Sequence, residues 1–283
     1  MARPLRIQFP GAIYHVTNRG NGRQLIFVDS RDRQEFIGTL AICLKEFGAI
    51  LHSYCLMGNH YHVILETPRG NLSRIIQRLN SVYSQNFNRR HQKVGHVFQG
   101  RFAARLVQKE THLHQASRYV VMNPVHAGLV KFPQDWRWSS YRAIAGYSMV
   151  PKWLDKVQTL NLFGAGGNRE KILRYRRFVM EKLDSREEKE PLVWATRKFV
   201  EKLRKRIRPK ELDHKFTRKQ RFVSRPTLRE LFNGKMSRRK RDETIYRAFK
   251  ACGYTQAGIA KNADISAARV SRIIKAERAR GKV

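Results

Sequence analysis

Acidic side chains are scarce in this chain. Twenty-two Asp and Glu stand against 58 Lys and Arg, a net charge of +36 over 283 residues. Self-repulsion on that scale works against a lone compact protein, so the composition asks for a polyanionic partner. Nucleic acid fits first. An anionic membrane surface fits less well, because no long basic helix with an exposed apolar face stands out. Cysteine is equally sparse: Cys43, Cys55 and Cys252 lie far apart, which excludes a disulfide framework and a zinc-finger spacing and suits a reducing cytoplasm. No apolar run approaches the length of a membrane span. Met1 to Arg6 lacks the apolar centre of a secretion signal. A Walker-type glycine loop is also missing, which argues against ATP-driven chemistry.

The basic excess is uneven. Residues 1–150 carry 20 basic and 7 acidic side chains, residues 151–200 carry 12 and 7, and residues 201–283 carry 26 and 8. Hydrophobic patterning divides the chain in the same places. Residues 12–17 alternate as a strand. Asp29 or Ser30 caps a helix over 31–47 that Gly48 ends. A strand follows at 49–57, then the run His60–Glu66. Asn71 caps a helix over 72–90, with Ile75, Ile76, Leu79, Tyr83 and Phe87 on one side. The run Arg101 to Val107 looks strand-like, and Thr111 opens a helix that Pro124 is expected to end. This order predicts an α+β domain over 1–150: an antiparallel sheet with helices on one face. Residues 151–224 are expected as a basic helical connector. Residues 225–283 read as a helix-turn-helix unit, in which Thr255 and Ser266 cap two helices around the turn at 262–264.

The chemistry centres on His60-Tyr61-His62. In a strand, residues i and i+2 share a face, so the two imidazoles stand side by side. Histidines so placed are more often hydrogen-bonded bystanders than ligands. Tyr119 and Asn123 lie four apart on the 111–123 helix, bordering its apolar side. Read alone, they are a core-edge aromatic and a helix end. Together with the histidines they suit a different task. Two imidazoles and an amide oxygen can hold Mg²⁺ or Mn²⁺ and leave room for phosphate oxygens, and a tyrosine hydroxyl beside them can attack a phosphodiester. Tyr83 is the rival nucleophile, but its i+4 neighbour is Phe87 and it falls on an apolar stripe, so it reads as core. His96 and Gln99 are as suited to a turn as to touching DNA.

Five motifs occur in order: Tyr14 to Gly20, Leu56 to His62, Gly95 to Phe102, Arg118 to Val125, and Trp138 to Tyr141. Over about residues 5–145 they resemble the single-tyrosine HUH transposases with an insertion-sequence-200-like domain, and among these the REP-associated tyrosine transposases. The resemblance implies a ferredoxin-like fold in a bacterial, nucleoid-associated protein. It implies metal-dependent cleavage and rejoining of single-stranded, hairpin-forming repeat DNA through a 5′-phosphotyrosine. It assigns the nucleophile to Tyr119 and the Mg²⁺ or Mn²⁺ ligands to His60, His62 and Asn123, and it admits a homodimer. Arg101 and Arg105 are candidates for contacting the DNA. The compact members of that family stop soon after the Trp138 region, whereas this chain continues for over a hundred residues. The added unit is expected to bind a duplex stem or flanking duplex, with Ser266, Arg269 and Arg272 toward the groove and Lys261, Lys275 and Arg278 toward phosphates. The alternatives are a non-catalytic DNA-binding regulator on an HUH scaffold and a metal hydrolase that forms no covalent intermediate.

Overall fold

The computed structural model describes residues 8–183, 194–196, 199, 226–234 and 236–280. The chain divides into two compact units, the first spanning residues 6–199 and the second built from residue 200 onward.

The first unit is organised on a four-stranded antiparallel sheet of order β2-β3-β1-β4: β1 (Ala12–Arg19), β2 (Ile50–Leu56), β3 (His60–Thr67) and β4 (Ala103–Val107). With α1 (Ser30–Phe47) after β1 and α2 (Leu72–His91) after β3, this is the expected α+β, ferredoxin-like arrangement. Strand alternation sorts the side chains. Tyr14, Val16, Tyr61, Val63 and Leu65 enter one core with Phe36 and Leu40 of α1 and Ile75, Leu79 and Tyr83 of α2. Ile13 and Ile64 face the other way. Asp29 caps α1, accepting from the amides of Arg31 at 2.9 Å and Asp32 at 3.1 Å, an arrangement worth about 1 kcal/mol. Gly48 ends the helix at φ +64°, where a Cβ would be strained.

The helices do not all lie on one face. α3 (Lys109–His126) covers the opposite side of the sheet, where Leu113, Ala116 and Val120 pack on Ile13, Cys55, Ile64 and Val107. Its first turn is tied down by Lys109, whose ammonium donates to Glu66 of β3 at 3.1 Å and to Gln158 at 2.8 Å. Contrary to expectation, α3 runs past Pro124 to His126. A proline in the last turn leaves one carbonyl unserved, that of Val120. The Asn123 side-chain amide lies over it at 3.5 Å and donates to the Tyr119 carbonyl at 2.7 Å.

Both sheet edges are occupied. On the β2 side, Leu56 N–H donates to the Trp138 carbonyl at 2.9 Å, and Asp155 N–H donates to the Leu51 carbonyl at 2.8 Å. The Trp136 indole donates to the Leu56 carbonyl at 3.1 Å. On the β4 side, Trp194 N–H donates to the Leu106 carbonyl at 3.0 Å, and Gln108 N–H donates to the Trp194 carbonyl at 2.6 Å. The short α4 (Tyr141–Ile144), α5 (Lys156–Asn161) and α6 (Asn168–Met180) extend the main core through Ile144, Leu160, Tyr175 and Val179. The first part of the segment expected as a connector, through residue 183, is therefore folded onto this unit. The basic run Lys202 to Arg206, expected to be helical, lies outside the described residues.

The second unit contains α7 (Leu228–Leu231), α8 (Arg238–Lys250), α9 (Gln256–Ala263) and α10 (Ala267–Arg280) around a small core of Ile245, Ala248, Ile259, Val270 and Ile274. Thr255 caps α9 by accepting from Gly258 N–H at 3.1 Å. Asp264 turns the chain in the left-handed conformation at φ 51°, and Ser266 caps the next helix by accepting from Arg269 N–H at 3.2 Å. Among the described residues no helix is long and apolar enough to cross a membrane.

Candidate active site

Register builds the first half of the site. Thr17 of β1 lies opposite His62, Arg19 opposite His60, and His15 opposite both Ile64 and Arg105. Directly paired residues share a face, so His15, Thr17, Arg19, His60, His62 and Arg105 all lie on the face that α3 crosses. α3 supplies the second half. Tyr119 packs edge-on against both His15 and His62, with ring centroids at 5.8 and 6.0 Å. A cleft of about 520 Å³ is lined by His60, His62, Tyr119, Asn123, Arg19, Gln99 and Arg101, together with Thr17, Asn18, Met57, Ala103, His126 and Ala127. Two turns of α3 and the ends of β1 and β3 therefore meet at one opening.

The polar geometry is specific. His60 and His62 have ring centroids 4.9 Å apart. His60 Nδ1 is 2.7 Å from Asn59 Oδ1, and because a carbonyl oxygen can only accept, that nitrogen carries the proton. The lone pair of His60 is then on Nε2. His62 is buried, its Nδ1 lies 2.9 Å from His15 Nε2, and its buried Nε2 has no hydrogen-bond partner. Burial drives the His62 pKa well below the ordinary imidazole range, and the charges of His15, His60, Arg105 and Arg19 push in the same direction. Burial therefore favours the neutral ring, the form in which an imidazole can bind a metal. The Asn123 amide nitrogen is engaged with helix carbonyls, which leaves Oδ1 as the remaining polar function of that side chain.

The sequence candidates separate into two groups. His60, His62, Tyr119, Asn123 and Arg101 line one cleft. Arg105 does not line it but stands opposite His15 on the same face, where its charge acts on His62. Ser266, Arg269, Arg272 and Lys275 belong to the second unit and are exposed, with the Ser266 hydroxyl taken up as a helix cap. Lys261 and Arg278 are exposed there too. Tyr83 is buried in the main core, its hydroxyl donating to the Ile26 carbonyl. Burial, together with the nearby Asp32 and Glu35 carboxylates, raises its pKa far above the usual phenol value. Two neighbours of the cleft escaped sequence reasoning. His15 lay in a quoted motif without a role. Trp194 places its indole 5.7 Å from the Tyr119 ring, on the side away from the histidines' own strand.

Fold and site together define a ferredoxin-like domain that holds two strand histidines against a helix-borne tyrosine and asparagine. Residues 8–123 match the model of the family described as "Transposase IS200 like". A solved structure titled "Structure of the REP associates tyrosine transposase bound to a REP hairpin" is similar at 17% sequence identity and a TM-score of 0.45, covering 59% of this chain and 93% of that one. No curated protein matches.

Proposed function

We propose that the chain is a DNA strand transferase that cleaves and rejoins single-stranded, hairpin-forming repeat DNA, with Tyr119 as nucleophile. The observation that carries this reading is the convergence of His60, His62, Asn123 and Tyr119 on one basic cleft. The donor set fits a divalent cation, Mg²⁺ or Mn²⁺. His62 offers a buried nitrogen that no protein group satisfies, His60 has its lone pair on Nε2, and Asn123 adds an amide oxygen. Bound there, the cation would act as a Lewis acid on the scissile phosphate.

The chain's own residues supply the rest. The Tyr119 oxygen forms a bond to phosphorus as the bond from phosphorus to the 3′ oxygen breaks. The phenol proton is lost, and the departing 3′ oxygen gains one. The DNA 5′ end is then held as a phosphotyrosine ester beside a free 3′-hydroxyl. One phosphodiester is exchanged for another, so rejoining needs no ATP. Arg19 and Arg101 at the cleft, with Arg105 behind it, favour the anionic strand. The direct test is incubation with single-stranded hairpin repeats and Mn²⁺, followed by a denaturing gel. A covalent protein–DNA adduct is expected. Cleavage without adduct would favour a hydrolase, and binding without cleavage would favour a regulator.

In the same reading the second unit is a helix-turn-helix that grips a duplex stem or flanking duplex, using Arg269, Arg272 and Lys275 of α10. Supporting this, the inner face of α10 carries Val270 and Ile274, while these three basic residues are exposed. Ala267 and Ala268 at its start are small enough for close approach to base edges. Arg272→Ala is expected to weaken duplex binding by the full chain about tenfold, on the order of 1–3 kcal/mol, while adduct formation on an isolated single strand is unchanged. Equal duplex affinity of the two proteins would remove Arg272 from the interface. Whether two copies act together is tested by sedimentation with and without hairpin DNA.

A further inference from the structure

His15 sits in β1, on the diagonal from His62 set by the pairing of Thr17 with His62. Its ring is stacked on that of His62, with centroids 5.1 Å apart and planes 17° apart. Its Nε2 lies 2.9 Å from His62 Nδ1. A hydrogen bond between two imidazole nitrogens needs one donor and one acceptor, so this contact has two possible senses. If His15 donates, His62 carries its proton on Nε2, and a buried N–H without an acceptor faces the cleft. If His62 donates, Nε2 carries a lone pair at that place, and His15 keeps its own proton on the buried Nδ1. Each sense thus leaves one buried N–H, but only the second directs a His62 lone pair, which a cation can satisfy, to the cleft.

We infer that His15 is a positioning residue, which accepts the His62 Nδ1 proton at its own Nε2 and so keeps the His62 Nε2 lone pair directed to the metal position. The inference rests on the metal site of the proposed function. His15 touches neither DNA nor cation in this scheme. It acts by fixing a tautomer and a ring plane, as the outer partners of metal-bound histidines do. His60 has an equivalent partner in Asn59, whose Oδ1 lies 2.7 Å from His60 Nδ1. The two strand histidines are thus oriented by different chemistries: one by a side-chain amide from its own turn, the other by a second imidazole from the neighbouring strand. Tyr119 closes over both His15 and His62, with centroids at 5.8 and 6.0 Å. The same imidazole therefore also fixes the surface against which the nucleophile's ring rests.

The test uses the full-length chain with ¹⁵N-labelled histidine. In the metal-free wild type, His62 is expected to show an unprotonated Nε2 and a protonated Nδ1. In His15→Phe, which keeps a flat ring but removes the acceptor, His62 should show both tautomers, and Mn²⁺ affinity should fall about 10- to 100-fold. His15→Gln restores an acceptor oxygen and should recover most of the affinity; unchanged His52 resonances would show that the fold persists in both variants. A wild-type His62 protonated at Nε2 overturns the inference. So does Mn²⁺ that broadens the His60 and His62 resonances with equal affinity in wild type and His15→Phe, and that outcome leaves the metal site standing. If Mn²⁺ leaves the His60 and His62 resonances of the wild type untouched, the metal-site reading fails and the inference falls with it.

Discussion

Tyr119→Phe is expected to abolish covalent protein–DNA adducts, a loss of about a thousandfold or more in cleavage, while hairpin affinity stays within about twofold. The substitution removes one oxygen and keeps the ring that packs on His15, His62 and Trp194. Packing and the cleft walls therefore survive, and the change isolates the nucleophile. Tyr83→Phe is the matching control. Its hydroxyl donates to the Ile26 carbonyl inside the core, so its loss should lower stability by about 1 kcal/mol and leave adducts intact. Adducts from Tyr119→Phe would overturn the assignment of the nucleophile, and their loss in a folded Tyr83→Phe protein would move it elsewhere.

His62→Ala should have the second largest effect. It deletes the buried, unpartnered Nε2 and the group against which Tyr119 rests. A cation that polarises a phosphate contributes several kcal/mol to the transition state. Losing one of its ligands is accordingly expected to lower cleavage by roughly 10²–10³-fold. Measured Mn²⁺ affinity should fall in parallel, and hairpin binding in chelator should be unchanged, because strand binding draws on the arginines around the cleft. A His62→Ala protein that cleaves at the wild-type rate in chelator would remove the metal from the reaction.

The elements of the first unit were legible because short-range rules govern them. Asp29 and Gly48 punctuate α1, and alternation marks β1 and β3; Asn71 stands at the start of α2 as expected, but its side chain makes no cap and donates to the Phe47 carbonyl at 3.1 Å. The histidine pair followed from strand periodicity, and Tyr119 with Asn123 from helical spacing. What escaped depends on contacts remote in sequence. The His15–His62 contact requires the β1–β3 register, which no local pattern sets. Trp194 reaches Tyr119 only because its segment pairs with β4. The folding of residues 151–183 onto the core was hidden by charge, since Tyr175 and Val179 sit among Arg174, Arg176 and Arg177. The helix boundary at Pro124 failed for a different reason. Proline costs the last turn a single donor, and the Asn123 side chain, bonded to the Tyr119 carbonyl at 2.7 Å, still reaches the Val120 carbonyl at 3.5 Å.

That side chain joins a helix end to the cleft. The Asn123 amide is held by the Tyr119 carbonyl at 2.7 Å, with the Val120 carbonyl that Pro124 cannot serve at 3.5 Å, and its oxygen is left as the other pole of a fixed group. With a residue other than proline at 124, the backbone could serve the Val120 carbonyl itself, and the bond to the Tyr119 carbonyl would still hold the amide. Change at 124 is therefore expected to leave the oxygen in place, whereas change at 123 removes the helix contact and the oxygen at the cleft together.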